Sequence, residues 1–137
     1  MKAISLLLLR LSTGIYLILW GVVKFNADRA AGVSDRFYGG AISGETISLV
    51  LGCAQIGLGV LVVLGLFRIF AYWGQVLWYL AGIIPIIVFI VDPLGLYLVD
   101  PPGRLTFFPS TTLLFASLIM VAFMAEDTLS VDGSRRK

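Results

Sequence analysis

Hydrophobic positions in this chain fall into four long runs separated by polar segments. Ala3–Val23, Ile47–Phe67, Ile69–Val91 and Leu105–Ala125 are 21, 21, 23 and 21 residues long and take up 86 of 137 residues. A helix needs about 20 apolar residues to cross a hydrocarbon core of about 30 Å. Each run meets that length. The last three carry no charge, and the first carries one, Arg10. The pattern predicts an all-α chain. It reads as an integral membrane four-helix bundle, up-down-up-down, in one membrane domain over residues 1–137, with spans at about 3–23, 47–67, 69–91 and 105–125.

Small and polar residues recur inside each run at helical spacing. Span one has Arg10, Thr13, Gly14, Leu17, Gly21 and, just beyond it, Lys24; span two has Ser48, Gly52, Gln55 and Gly59. Span three has Tyr72, Gln75, Tyr79 and Gly82; span four has Ser110, Leu114 and Ser117. Steps of three and four put each set on one helix face. Lipid offers these residues no partner, so the four stripes should face one another. Small residues let membrane helices approach closely, and polar ones hydrogen-bond across the interface.

Counted from the end that holds the termini, Arg10 is seven residues into span one, Gln75 six into span three and Ser117 eight into span four. At about 1.5 Å per residue, all three lie roughly 9–12 Å inside the boundary. A guanidinium, an amide and a hydroxyl then share one layer, with Tyr72 and Tyr79 a turn to either side of Gln75. Such a layer suits a quinone carbonyl or a phosphate. Arg10, Gln75, Tyr79 and Ser117, with Gln55 on span two, are the candidate ligand-binding residues.

Arg10 is the most informative of them. A charge at mid-helix costs about 2.5–3.5 kcal/mol on insertion scales, less if the side chain reaches the head groups. Two readings stay open: an arginine that snorkels to the surface, or one turned inward. All eight acidic residues fall outside the runs. The expected companion of an inward Arg10 is therefore an amide, a carbonyl, a tyrosine, a lipid phosphate or a ligand.

The connections are short except for Lys24–Thr46, a 23-residue loop of net charge zero. Arg68 alone separates spans two and three, which predicts a tight hairpin. Pro93, Pro101 and Pro102 keep the segment Asp92–Arg104 from continuous helix, and its Leu94, Leu96, Tyr97, Leu98 and Val99 suit the membrane interface. Pro85 should kink span three, whereas Pro109 stands early enough in span four to be tolerated. Lys2, Arg68, Arg135, Arg136 and Lys137 lie on one side, and Lys24, Arg29, Arg36 and Arg104 on the other. Arg10 adds to the first side. This bias places both termini in the cytoplasm of a cell with the chain in its inner membrane. Most aromatic residues near the run ends, among them Tyr16, Trp20, Phe25, Phe37, Tyr38, Phe67, Phe70, Tyr72, Trp73, Phe107 and Phe108, read as interfacial anchors. Met1-Lys2 and the apolar stretch after them read as a retained first helix rather than a cleaved signal, because Arg10 interrupts the stretch.

Composition agrees. The chain is 59% hydrophobic and 13% charged, against about 25% charged in a soluble domain. This excludes a soluble enzyme, a nucleic-acid binder and a secreted disulfide domain. There is no histidine, which removes His-ligated haem, the usual zinc and copper sites, and Ser–His or Cys–His catalysis. The lone Cys53 cannot form an internal disulfide and reads as a small packing residue. No intrinsic metal or cofactor site is visible, and no catalytic set.

The opening segment Leu9-Arg10-Leu11-Ser12, then Gly14, then Gly21-Val22-Val23-Lys24-Phe25 resembles the first helix of DoxX-type proteins. Leu51-Gly52-Cys53-Ala54-Gln55-Ile56-Gly57-Leu58-Gly59 resembles that family's second helix. Gly103-Arg104-Leu105 is similar to the start of the last helix in relatives tied to reactive-chlorine resistance. Where some relatives have a charge after that Gly-Arg, this chain has Phe107-Phe108-Pro109. The resemblance implies a four-helix membrane protein with Arg10, Gly21 and Lys24 as family positions, and Gln55 less firmly. It also implies an accessory or anchor role beside a redox or oxidative-stress enzyme, with a quinone as the candidate cofactor. The expected partners are the lipid bilayer and a membrane redox protein, with a second copy of the chain as a further candidate. A small transporter, which would have to use Arg10, and a lipid-organising structural protein are the alternatives.

Overall fold

The computed structural model describes residues 1–37, 39, 44–98, 107 and 109–135. The expectations for Tyr38, Val99, Pro101, Pro102, Gly103, Arg104, Leu105, Phe108, Arg136 and Lys137 lie outside those residues, as do the side chains of Arg36 and Phe37.

Every regular element among the described residues is helical. Helix α1 is Lys2–Val23, α2 Ala27–Phe37, α3 Glu45–Leu64 and α4 Arg68–Ile83. A 3-10 turn, Ile84–Ile86, leads into α5, Ile87–Val91. Helix α6 is Pro109–Ala122, and after a second 3-10 turn, Met124–Glu126, comes the short α7, Val131–Ser134. Three helical segments are long and apolar enough to cross a membrane: Lys2–Val23, Glu45–Leu64 and Arg68–Val91. The fourth run yields a shorter apolar helix of 14 residues, about 21 Å long.

The stripes do face inward. On α1, Arg10, Thr13, Gly14, Leu17 and Gly21 are buried; on α3, Ser48, Gly52, Gln55 and Gly59 are. Tyr72, Gln75 and Tyr79 are buried on α4, and Ser117 on α6. The outward faces carry Leu8, Leu19, Val50, Val60, Phe70, Leu77 and Phe115, all exposed. A water-soluble fold buries the opposite set. Cys53 belongs to the outward face of α3 and does not pack inside, contrary to expectation.

Glycines set the closest approach. A Cβ on Gly14 would lie 3.0 Å from the Gly59 carbonyl oxygen, and one on Gly59 would lie 2.8 Å from that of Gly14. Gly21 and Gly52 repeat this relation, each 3.0 Å from the other's carbonyl oxygen. Gly14 opposite Gly59 and Gly21 opposite Gly52 make α1 and α3 antiparallel, with backbones in contact. Helix α1 also touches α6, and α4 touches both α6 and α3.

Two connections differ from the sequence reading. The break between spans two and three is Gly65–Phe67, and Arg68 already begins α4. Gly65 ends α3 at φ 67°; its N–H reaches the Val62 carbonyl, and the Leu66 N–H reaches that of Leu61. This pattern needs a residue without a Cβ penalty in the left-handed region. The loop Lys24–Thr46 contains α2, started by the Asn26 side chain, which accepts the Arg29 N–H at 3.0 Å. A long connection without structure of its own is uncommon in a compact domain. Pro85 behaves as predicted: it stands in the 3-10 turn that interrupts the third span. After α5, Asp92 accepts the backbone N–H groups of Leu96, Tyr97 and Leu98 at 2.7–2.9 Å, which ties residues 96–98 back to the end of α5 while Leu94, Leu96 and Leu98 stay exposed.

Candidate functional site

The polar interior divides into three levels. At the end that holds the termini, the chain after α6 folds back over the bundle mouth. Asp127 enters the interior there and meets Arg10. Nη1 of Arg10 donates to Asp127 Oδ2 at 3.0 Å and Oδ1 at 3.3 Å, and Nη2 donates to the Leu129 carbonyl at 3.1 Å. The Tyr72 hydroxyl donates a short bond to the same carboxylate.

Arg68 fastens the returning segment from the other side. Its Nη1 donates to the carbonyls of Met124 and Asp127 at 2.8 and 2.9 Å, and its backbone N–H donates to Asp132 at 3.1 Å. The Ser130 hydroxyl donates to the Asp127 carbonyl and accepts the Gly133 N–H, closing the turn into α7. The Asp132 N–H donates to the Gly65 carbonyl at 3.2 Å.

Two expectations are corrected here. The partner of Arg10 is a carboxylate, supplied from just beyond the fourth run, and Arg10 does not snorkel: it is 3% exposed. Tyr72 is a buried donor to that carboxylate and not an interfacial anchor. Asp127 and Arg68 were not among the candidate residues. The available signal was the need itself, since a buried guanidinium requires an anion and Asp127 stands two residues beyond the end of the fourth run.

At the middle level, the Tyr79 hydroxyl donates to the Thr13 carbonyl at 2.9 Å. Ser117 donates back to the Leu113 carbonyl of its own helix at 2.8 Å. Gln75 is fully buried, and neither its amide nitrogen nor its oxygen has a hydrogen-bond partner. The predicted layer of Arg10, Gln75 and Ser117 is thus buried as a group, but none of the three bonds to another.

At the far end, Lys24 caps α1 and donates a short bond to Gln55 Oε1. Gln55 therefore belongs to a different level from the other four candidates. Burial holds the Lys24 ammonium below the usual lysine range. Two cavities adjoin there. One, of about 260 Å³, is lined by Trp20, Val23, Lys24, Leu51, Trp78 and Gly82, with Ala30 and Ser34 of α2 and Ser48 of α3. The second, of about 210 Å³, shares Lys24 and Ser48 and adds Phe25, Asp28, Ala31, Glu45 and Leu49. Among the described residues, no group of three or more His, Cys, Asp and Glu side chains is placed to hold a metal ion.

No protein-family model, curated protein or solved structure matches this chain.

Proposed function

We propose that the chain is a four-span membrane protein, up-down-up-down, with both termini on the cytoplasmic side of an inner membrane. In this reading it is a non-catalytic accessory or anchor subunit of a membrane redox or oxidative-stress system, like the DoxX-type proteins that α1 and α3 resemble. In this reading the apolar helix α6 belongs to the fourth span.

One observation carries the choice of scaffold over carrier. Arg10, the one charged residue inside the four runs, is engaged by Asp127 and the Leu129 carbonyl. A transporter would need this charge available to its solute. Here the charge closes one end of the helix assembly. The apolar outer faces support contact with lipid and with a partner's spans. Gln75 is the group of the middle level still able to meet a quinone carbonyl, because Tyr79 is held by Thr13.

The test is a mild-detergent pull-down from native membranes, with mass spectrometry of proteins and of extracted quinones. A stoichiometric oxidoreductase or a retained quinone is the expected result. A protein that purifies with neither, at any oligomeric state, overturns the accessory reading.

A further inference from the structure

We propose that the two adjoining cavities at the Lys24 end form one binding site for an aminophospholipid. This inference rests on the membrane reading above and on no redox role. Lys24 and Ser48 line both cavities, so the two are chambers on either side of one ammonium. The larger chamber is walled by Trp20, Trp78, Leu51 and Val23. It offers an acyl chain aromatic and aliphatic surface and no charge other than Lys24. At roughly 30 Å³ per small heavy-atom group, it holds about nine such groups, enough for the first stretch of one chain.

The smaller chamber has the opposite character. It brings Lys24 together with Asp28 and Glu45, the acidic residues of the first turns of α2 and α3. At the same volume per group it holds about seven, most of a phosphate with a two-carbon amine. Neither carboxylate is within ion-pair distance of Lys24, whose partner is the neutral Gln55 amide. The half-buried ammonium thus has no counter-charge in direct contact. A phosphate at Lys24 supplies it, and the lipid's own ammonium then points at Asp28 and Glu45. Trp20 and the end of α1 place this head group at an interfacial level, where a phospholipid phosphate lies.

An anionic phosphoglycerol lipid would meet Lys24 but bring no cation to the two carboxylates. A phosphocholine lipid would bring a cation without N–H donors. The chemistry therefore ranks the primary amine first.

The purified full chain in mild detergent is mixed with equal amounts of phosphatidylethanolamine, phosphatidylglycerol and phosphatidylcholine. Native mass spectrometry then counts the lipids retained. The ethanolamine lipid is expected to dominate. Lys24→Gln should lower its retention about tenfold, the scale of a lost charge-assisted hydrogen bond, and Lys24→Arg should restore it. The exposed pair Asp28→Asn with Glu45→Gln leaves the packing untouched; it should reduce only the preference over phosphatidylglycerol, about threefold, as exposed ion pairs are weak. Equal retention of the three lipids, or retention indifferent to both the Lys24 and the double variants, overturns the proposal. Release of the chain from membranes by alkaline carbonate would overturn the membrane reading itself, and is read separately.

Discussion

Arg10 Nη1 lies 3.0 Å from Asp127 Oδ2, across 117 residues of sequence, and each side chain is 3% exposed. Removing one partner of such a pair leaves the other charge buried and unpaired. Asp127→Ala should therefore cost about 3–5 kcal/mol, whereas the paired replacement Arg10→Met with Asp127→Leu should cost far less. Thermal unfolding in detergent, run as a double-mutant cycle, checks this. Equal losses in the single and paired variants would mean that the ion pair is not what holds the mouth closed.

The glycine contacts of α1 and α3 give a prediction with an internal control. A Cβ on Gly59 would meet the Gly14 carbonyl oxygen at 2.8 Å and the Ile18 side chain at 2.7 Å, and the carbonyl cannot turn aside. Gly57, two residues earlier on the same helix, has nothing within 4 Å of such a Cβ. Gly59→Ala should destabilise by about 1–3 kcal/mol, as overpacking does. Gly57→Ala should be neutral or slightly stabilising, since alanine is the better helix former. The difference in unfolding midpoint between these two variants is the readout.

Gly65 joins the hairpin to the returning C-terminal segment. Its φ of 67° suits glycine, and a Cβ there would fall 2.4 Å from Ser130 Cβ and 2.5 Å from Arg10 Nη1. Gly65→Ala should push the segment 127–134 off the bundle mouth. Limited trypsin digestion would then cleave after Arg68, at the hairpin, faster than in the parent chain. Unchanged digestion would show that the mouth adapts.

Gln75 keeps two buried polar atoms without partners. Replacing an unsatisfied buried amide with an apolar side chain of similar shape should be neutral or stabilise by about 1–3 kcal/mol. Gln75→Leu is expected to raise the unfolding midpoint in detergent. A fall on substitution, together with loss of a co-purified quinone, would instead assign Gln75 a ligand in the native membrane.

Lys24 makes stability depend on pH on the alkaline side. Burial lowers its pKa from 10.5, so in that window the unfolded chain binds the proton more tightly than the folded one. Stability contributed by this group therefore rises as pH climbs from the folded pKa toward 10.5. The penalty for burying the charge is fully present below the folded pKa. Denaturation of the parent chain and Lys24→Met at stepped alkaline pH should show that slope in the parent only.

Much of this architecture follows from the sequence alone, because it depends on local spacing. Apolar runs of about 20 residues and stripes at steps of three and four fix which segments become long helices and which face each turns inward. The inward positions of Gly14, Gly21, Gly52 and Gly59 are legible for that reason, as are those of Gln55, Gln75 and Ser117. The helical break at Pro85 is equally local, set by a missing N–H and a ring. Tertiary structure decided the partners. The carboxylate that neutralises Arg10 comes from the far end of the chain, and no periodicity reports a contact across 117 residues. Arg68 reads from the sequence only as the residue between spans two and three, yet it is buried and holds the chain after α6 through the Met124 and Asp127 carbonyls. Gln55 and Gln75 read alike as stripe amides, yet one is bonded to Lys24 and the other to nothing. Spacing sets the direction in which a side chain points; what it meets there depends on which distant segments folding brings to the same level.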